Sequence, residues 1–479
     1  MFGVGSMGII SYLALLLGIM MLSSIYTAEA SPRKDQWYFD GVGQYNFGYY
    51  DNAIKIFQDG LKKNPKHKDA WYYLGVSYLY IGEYDSAIKS FDQALKIDPR
   101  YVNAINDKGW VLYETGKYDA AVEAFDQAVK LQPVNIDYGE NIIAYNPLVN
   151  KGLTLEKLGK VDEAIKSYDQ EIALVGSFKN PQGGSDPWPW YFKSKALEKL
   201  GKNSESKDAL KIALKITPNF DEDLNSNGII QTYGGKFEEA VFWYDQSISL
   251  NPQNRFAWAN KGVALINLSL YEDAVKSSQE ATKINPKNFD AWINSGNSNQ
   301  GMCKFDEAVK NYEIAEKISA TSIGYSGKAM SLFDLGKYSE SLKASEFAIK
   351  MDARNSHAWK IKADSLKKLV KPDEAKKAYQ KASDAIDNEL KIYPRDGYKW
   401  KLKGLILQNL DKHADAIKSF EKAQSIEDSF KRTDGKKYPL VYKAMAESLE
   451  KLGKSEDAKN FYSKASNMEK KFNHKFCMT

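Results

Sequence analysis

The chain has two cysteines in 479 residues, Cys303 and Cys477, too few for the disulfide framework that staples small secreted domains. Its four histidines, His67, His357, His413 and His474, stand apart from one another and from cysteine, so no metal-ligand spacing exists and no metal is expected. No glycine-rich loop follows a strand-like run, which removes the usual phosphate cradle. No serine, cysteine or aspartate occupies a nucleophile motif. Arginine is scarce, with six residues against 67 basic side chains in total, and lysines alternate with carboxylates, a pattern that disfavours nucleic acid as a partner. Between Met1 and Ala28 there is no charged side chain at all.

What the chain does have is repetition. YDSAIKSFDQALKIDP, from Tyr84 to Pro99, and YDAAVEAFDQAVKLQP, from Tyr118 to Pro133, agree at 9 of 16 positions and lie 34 residues apart. With Gly75 placed at position 8 of a 34-residue unit, twelve units fit between Lys34 and Phe472. Position 8 is then small in every unit, glycine in eight of them (Gly41, Gly75, Gly109, Gly152, Gly228, Gly262, Gly296 and Gly404) and Ser194, Ala329, Ala363 or Ala446 in the rest. Position 20 is also small throughout, and position 4 holds seven of the ten tryptophans. Within a unit, apolar residues recur at three- and four-residue steps twice, around a short break such as IGEY or TGKY, which predicts two helices per unit. Proline ends the second helix at Pro65, Pro99, Pro133, Pro218, Pro252 and Pro286. A glycine inside a helix costs about 1 kcal/mol relative to alanine, so eight of them imply helices packed at short range.

The second unit carries Trp71, Leu74, Gly75, Tyr78, Ala87, Phe91, Ala94 and Pro99. This order resembles the tetratricopeptide repeat family, whose signature is Trp, Leu-Gly, Tyr, Ala, Phe and Pro across a 34-residue helix–turn–helix. The resemblance implies an all-α, right-handed α-solenoid of stacked helix pairs. It is weakest where Glu171 replaces a small residue at position 27 and where Pro372 stands at position 17 of the tenth unit. It gives repeats 1–4 in residues 34–178, repeats 5–10 in 187–396 and repeats 11–12 in 397–472. Insertions fall at 136–144 and 431–438, with a turn-rich loop at 179–186 and a tail at 473–479. Seven extra residues before Pro394 equal two helical turns, so the second helix of repeat 10 is expected to run longer and keep its face.

Residues 1–30 read as a signal peptide or an N-terminal membrane anchor, with an A-x-A site at Ala28-Glu29-Ala30. Export or membrane association is therefore expected, the alternative being a cytoplasmic protein whose N-terminal helix caps the first repeat. Outside the repeats the largest free segment is the N-terminal 33 residues, too short for a catalytic domain. Neither enzymatic activity nor a cofactor is expected.

In tetratricopeptide repeats, positions 2, 5, 6, 9, 12 and 13 of the first helix commonly face a concave groove. Here positions 5 and 6 supply Tyr72, Tyr73, Asn106, Asn150, Asn225, Asn260 and Asn294, and Asn297 stands at a position 9. An asparagine offers a donor and an acceptor, matching the two main-chain groups of an extended peptide. This spacing resembles the asparagine ladder of O-linked N-acetylglucosamine transferases and implies protein or peptide partners. No set of units supplies the family's chaperone-binding carboxylate clamp. An alternative use is stacking of glycan or cell-envelope polymer on Tyr72, Tyr73, Tyr80 and Trp110. A further alternative is binding of anionic lipid or nucleic acid by residues 356–479, which carry a net charge of +10 while the remainder carries −5.

Overall fold

The computed structural model describes residues 35–131, 146–177, 186–429 and 438–472. The N-terminal segment 1–30, the insertion 136–144, the tail 473–479 and nearly all of 179–186 and 431–438 lie outside the described residues.

The described residues form twenty-four helices and no strand. They fall into the twelve expected pairs, from Gln36–Asn46 with Tyr50–Lys63 to Tyr438–Lys451 with Ser455–Phe472. Helices pack closely on their neighbours in sequence at every step but the one from Asn203–Ile216 to Phe220–Tyr233, and the first helices of most successive repeats also touch one another. Second helices of successive repeats make no comparable contact among the described residues. First helices are therefore closer together than second helices, and the stack must curve with the first helices on its inner side. The result is a right-handed α-solenoid.

The glycines at position 8 have a specific partner. A Cβ built on Gly75 would lie 2.6 Å from the ring of Phe91, and on Gly152 it would lie 2.2 Å from Tyr168. Gly41, Gly109, Gly228, Gly296 and Gly404 meet Phe57, Phe125, Tyr244, Tyr312 and Phe420 in the same way. In each repeat the aromatic comes from the second helix and is fully buried. Gly262 is the exception, since its nearest neighbour is the Ser278 hydroxyl at 3.0 Å and not a ring. Where the ring is missing, the contact is less close.

Two further contacts recur with the period. The indole of Trp71 donates to the carbonyl of Pro65 at 2.9 Å, and Trp258, Trp292 and Trp400 do the same to Pro252, Pro286 and Pro394. Tryptophan thus holds the turn that proline creates. A lysine at position 7 of the unit reaches back to an acidic residue on the second helix of the preceding repeat. Examples are Lys108 with Asp92, Lys151 with Asp126, Lys261 with Asp245 and Lys362 with Glu346, at 2.6–2.9 Å. Lys403 pairs with Asp387 at 2.7 Å, across the long second helix of repeat 10, Pro372–Ile392, which has 21 residues where most have 14. The two added turns leave the inter-repeat register unchanged.

The two irregularities in the pattern are accommodated. Pro372 is the first residue of its helix, where its missing N–H would have had no intrahelical partner anyway. Glu171 is buried and accepts a 2.6 Å hydrogen bond from Asn146. Burial, with Asp186 beside it, pushes its carboxyl up to about 7.

All twelve turns between the paired helices contain one residue in the left-handed region. Glycine fills it in eight repeats, at φ of +72° to +77°, and Ser269, Cys303, Val370 and Asp411 fill it in repeats 7, 8, 10 and 11 at φ +59°. Cys477 lies outside the described residues. A β-branched side chain in this region is strained by about 1–3 kcal/mol. Val370 is 84% exposed, so replacing it loses little packing. Val370→Gly is expected to raise stability by a net ~0.5–1 kcal/mol after the added freedom of the unfolded chain is subtracted. Thermal melting of the single variant checks this, and an unchanged or lower midpoint would show the turn to be unstrained.

Candidate functional site

The asparagines and tyrosines expected in the groove are positioned by the first helices, but most are already bonded across repeat boundaries. Asn150 Nδ2 donates to Asn106 Oδ1 at 3.0 Å, and Asn106 donates in turn to Asp107 at 3.3 Å. Tyr72 donates to the other oxygen of Asp107 at 2.8 Å. One network therefore ties repeats 2, 3 and 4 together. Burial pushes the Asp107 carboxyl up to about 6, against the opposing hydrogen bonds from Tyr72 and Asn106. Further along, Asn260 donates to Asn225 at 3.1 Å and Asn294 to the carbonyl of Ala259 at 2.9 Å. In the asparagine bonds, position 6 of one repeat donates to position 5 of the repeat before it. That rule explains why the asparagines alternate between the two positions.

Tyr72, Asn106, Asn150 and Asn294 are buried, whereas Tyr73, Asn225, Asn260 and Asn297 are half-buried. Asn297 accepts a 2.7 Å bond from the Tyr312 hydroxyl. The aromatic platforms are similarly engaged. Tyr80 stacks on Tyr50 at 4.4 Å, Trp110 on Tyr113 at 4.9 Å, and Tyr73 lies against Tyr72, Tyr45 and Phe57.

An open site lies further along the same inner face. A cavity of about 160 Å³ is lined by Met330 and Phe333 of repeat 9, His357, Lys360, Ile361 and Asp364 of repeat 10, and Tyr398, Lys401, Leu402 and Leu405 of repeat 11. All ten residues fall on positions 2, 5, 6, 9 or 12 of their units. Its floor is aliphatic, with Ile361 and Leu402 nearly inaccessible. Its polar groups are ordered, since Lys360 pairs with Asp364 at 2.6 Å and Asp364 also accepts from the Tyr379 hydroxyl. Burial and the adjacent Lys360 ammonium lower the His357 pKa to about 4, so the imidazole is neutral and can both donate and accept. The Tyr398 ring meets His357 edge-on and is 53% exposed. Asp334, one turn beyond Met330, is pushed up to about 7 mainly by burial. These residue types are ordinary in a helix, so only their positions in the unit could have marked them in the sequence. No group of residues able to hold a metal ion occurs among the described residues.

Helix pairs stacked around an inner groove define an α-solenoid of short helical repeats. Models of the tetratricopeptide repeat match residues 43–102, 74–136, 106–177 and 327–389, and also 189–220, 228–254, 257–288 and 400–430. The chain belongs to the tetratricopeptide repeat family. Among solved structures it is similar to one of the APC/C hetero-tetramer Cut9–Hcn1, at 14% identity and a TM-score of 0.39, over 95% of this chain and 90% of that one. Yeast Tom70 is similar at 16% identity and a TM-score of 0.34, over 92% and 99%. A tetratricopeptide repeat protein from Parabacteroides merdae is similar at 18% and 0.39, over 55% and 98%. No curated protein matches the sequence.

The network through Asn106 gives the asparagines a measurable structural role. Asn150→Ala would leave the buried Asn106 oxygen without that donor and is expected to destabilise the fold by about 1–3 kcal/mol. Asn297→Ala, at a half-buried site, should cost less. A melting curve unchanged by Asn150→Ala would show that this bond contributes nothing to the stability of the fold.

Proposed function

We propose that this chain is a non-enzymatic scaffold that holds an extended segment of another protein in the groove, with the cavity of repeats 9–11 as its anchor point. One observation carries this reading: every residue lining the cavity lies at a groove-facing position of a first helix, in three successive repeats. The aliphatic floor suits one apolar side chain of the bound segment. The neutral His357, with the Tyr398 ring edge-on to it, suits main-chain donors and acceptors on either side of that residue. The half-buried Asn225, Asn260 and Asn297 continue the track toward the middle repeats.

A random peptide library panned on the full chain tests the proposal. Peptides recovered should lose about tenfold in affinity on Tyr398→Ala, the ~1–3 kcal/mol typical of a well-placed interface aromatic. The melting midpoint should hardly move, because the ring is 53% exposed. Failure to recover any peptide, or binding indifferent to Tyr398 and His357, would place the binding site elsewhere.

The uncharged stretch from Met1 to Ala28 supports export or membrane attachment of this scaffold. No described helix is long and apolar enough to cross a membrane, so the reading rests on that stretch alone. In cell fractionation, the full chain is expected in the membrane pellet after an alkaline wash or, if cleaved before Ser31, in the exported fraction. Recovery of intact chain in the cytosolic supernatant would end this part of the proposal.

A further inference from the structure

Repeats in a solenoid ordinarily touch only their neighbours. Arg395 breaks that rule. It lies in the turn between repeats 10 and 11, directly after the long helix Pro372–Ile392 and Pro394. Its guanidinium Nη2 donates to the carbonyl of Ile81 at 3.2 Å, across 314 residues of sequence. Nη1 stands 3.8 Å from an Asp51 carboxylate oxygen, and Nη2 stands 4.0 Å from one of Glu83. Lys422 of repeat 11 also acts on Asp51.

A second basic residue lands on the same edge of the molecule. Lys236, in the helix–helix turn of repeat 6, is 2.6 Å from Glu114 at the end of the first helix of repeat 3. Burial disfavours its charge, but Glu114 and Tyr84 outweigh that and hold its pKa above the usual lysine value. The receiving groups Asp51, Ile81, Glu83, Tyr84 and Glu114 all sit at or beside the turns within repeats 1, 2 and 3. Lysine and arginine from two later parts of the superhelix thus converge on one acidic rim.

The seven residues added to the second helix of repeat 10 now have a geometric role. They advance the following turn by about 10 Å along the helix axis while leaving the Lys403–Asp387 contact between repeats 10 and 11 in place. We propose that this extension carries Arg395 onto repeats 1 and 2, and that Arg395, with Lys236, latches the superhelix shut against its own first three repeats. The side chains of Asp51 and Glu83 are 40% and 47% exposed. Salt therefore reaches the contact, because ionic screening shortens from about 10 Å at 0.1 M to about 3 Å at 1 M. A partly exposed pair favours its closed state only about fivefold or less, so the latch is one that modest changes can open.

Small-angle X-ray scattering of the full chain tests the latch. At low salt, Arg395→Glu should enlarge the radius of gyration and maximum dimension relative to the unaltered chain. Raising the salt to about 1 M should bring the two together by opening the unaltered chain. Reversing the acceptors as well, with Asp51→Lys and Glu83→Lys added to Arg395→Glu, should restore the compact form at low salt. Circular dichroism confirms that each variant is folded, and Arg395→Gln replaces Arg395→Glu if the reversal proves too disruptive. Superimposable low-salt scattering from the folded single variant and the unaltered chain would overturn the proposal. So would an expansion that acceptor reversal fails to correct, because charge would then not be what holds the contact.

Discussion

The close approach of a buried aromatic ring to a glycine is the contact on which the rest of this structure depends. It brings the two helices of a repeat within reach of one another, and in seven repeats the residue under the ring has no side chain. Gly152 under Tyr168 and Gly75 under Phe91 show how little room is left. Once the pair is set at that distance, its remaining apolar face can be covered only by another such pair, and the chain extends by addition. Inter-repeat contacts follow in register: tryptophan on the proline turn, lysine on the acidic residue behind it, asparagine on asparagine. Because first helices meet across most repeat boundaries and second helices do not, the same packing that builds the core also creates a groove.

Most of the architecture was legible from the residues, because twelve noisy copies of one message average out each other's exceptions. Small residues at position 8 implied close helices before any ring was located. Gly262 shows the limit of that inference. It looks identical to its counterparts in the pattern, yet it faces a serine, and the aromatic it lacks stands sixteen residues on from each of the other seven glycines.

The candidate site was less legible, for a chemical reason. An asparagine that could grip a peptide main chain could equally grip the helix beside it, and positions 5 and 6 border both the groove and the neighbouring repeat. Asn106, Asn150 and Asn294 turned inward to other repeats. The cavity residues of repeats 9–11 gave no compositional signal, being lysine, leucine, isoleucine and histidine in an ordinary helical pattern. The contact of Arg395 left a visible trace only as seven surplus residues, whose length could be read but whose destination lay on the far side of the molecule.

The residues in left-handed turns have a consequence for dynamics. In a one-dimensional array, opening begins wherever the local free energy is smallest and spreads outward through weakened interfaces. Repeats 1–6 all use glycine at this position, whereas four of the six later repeats use residues less suited to it. Amide exchange should therefore be graded along the superhelix, slower in the first half and faster in the second. The cavity of repeats 9–11 sits between the turns formed by Val370 and Asp411 and a glycine turn at Gly336, in the half of the molecule built to yield first.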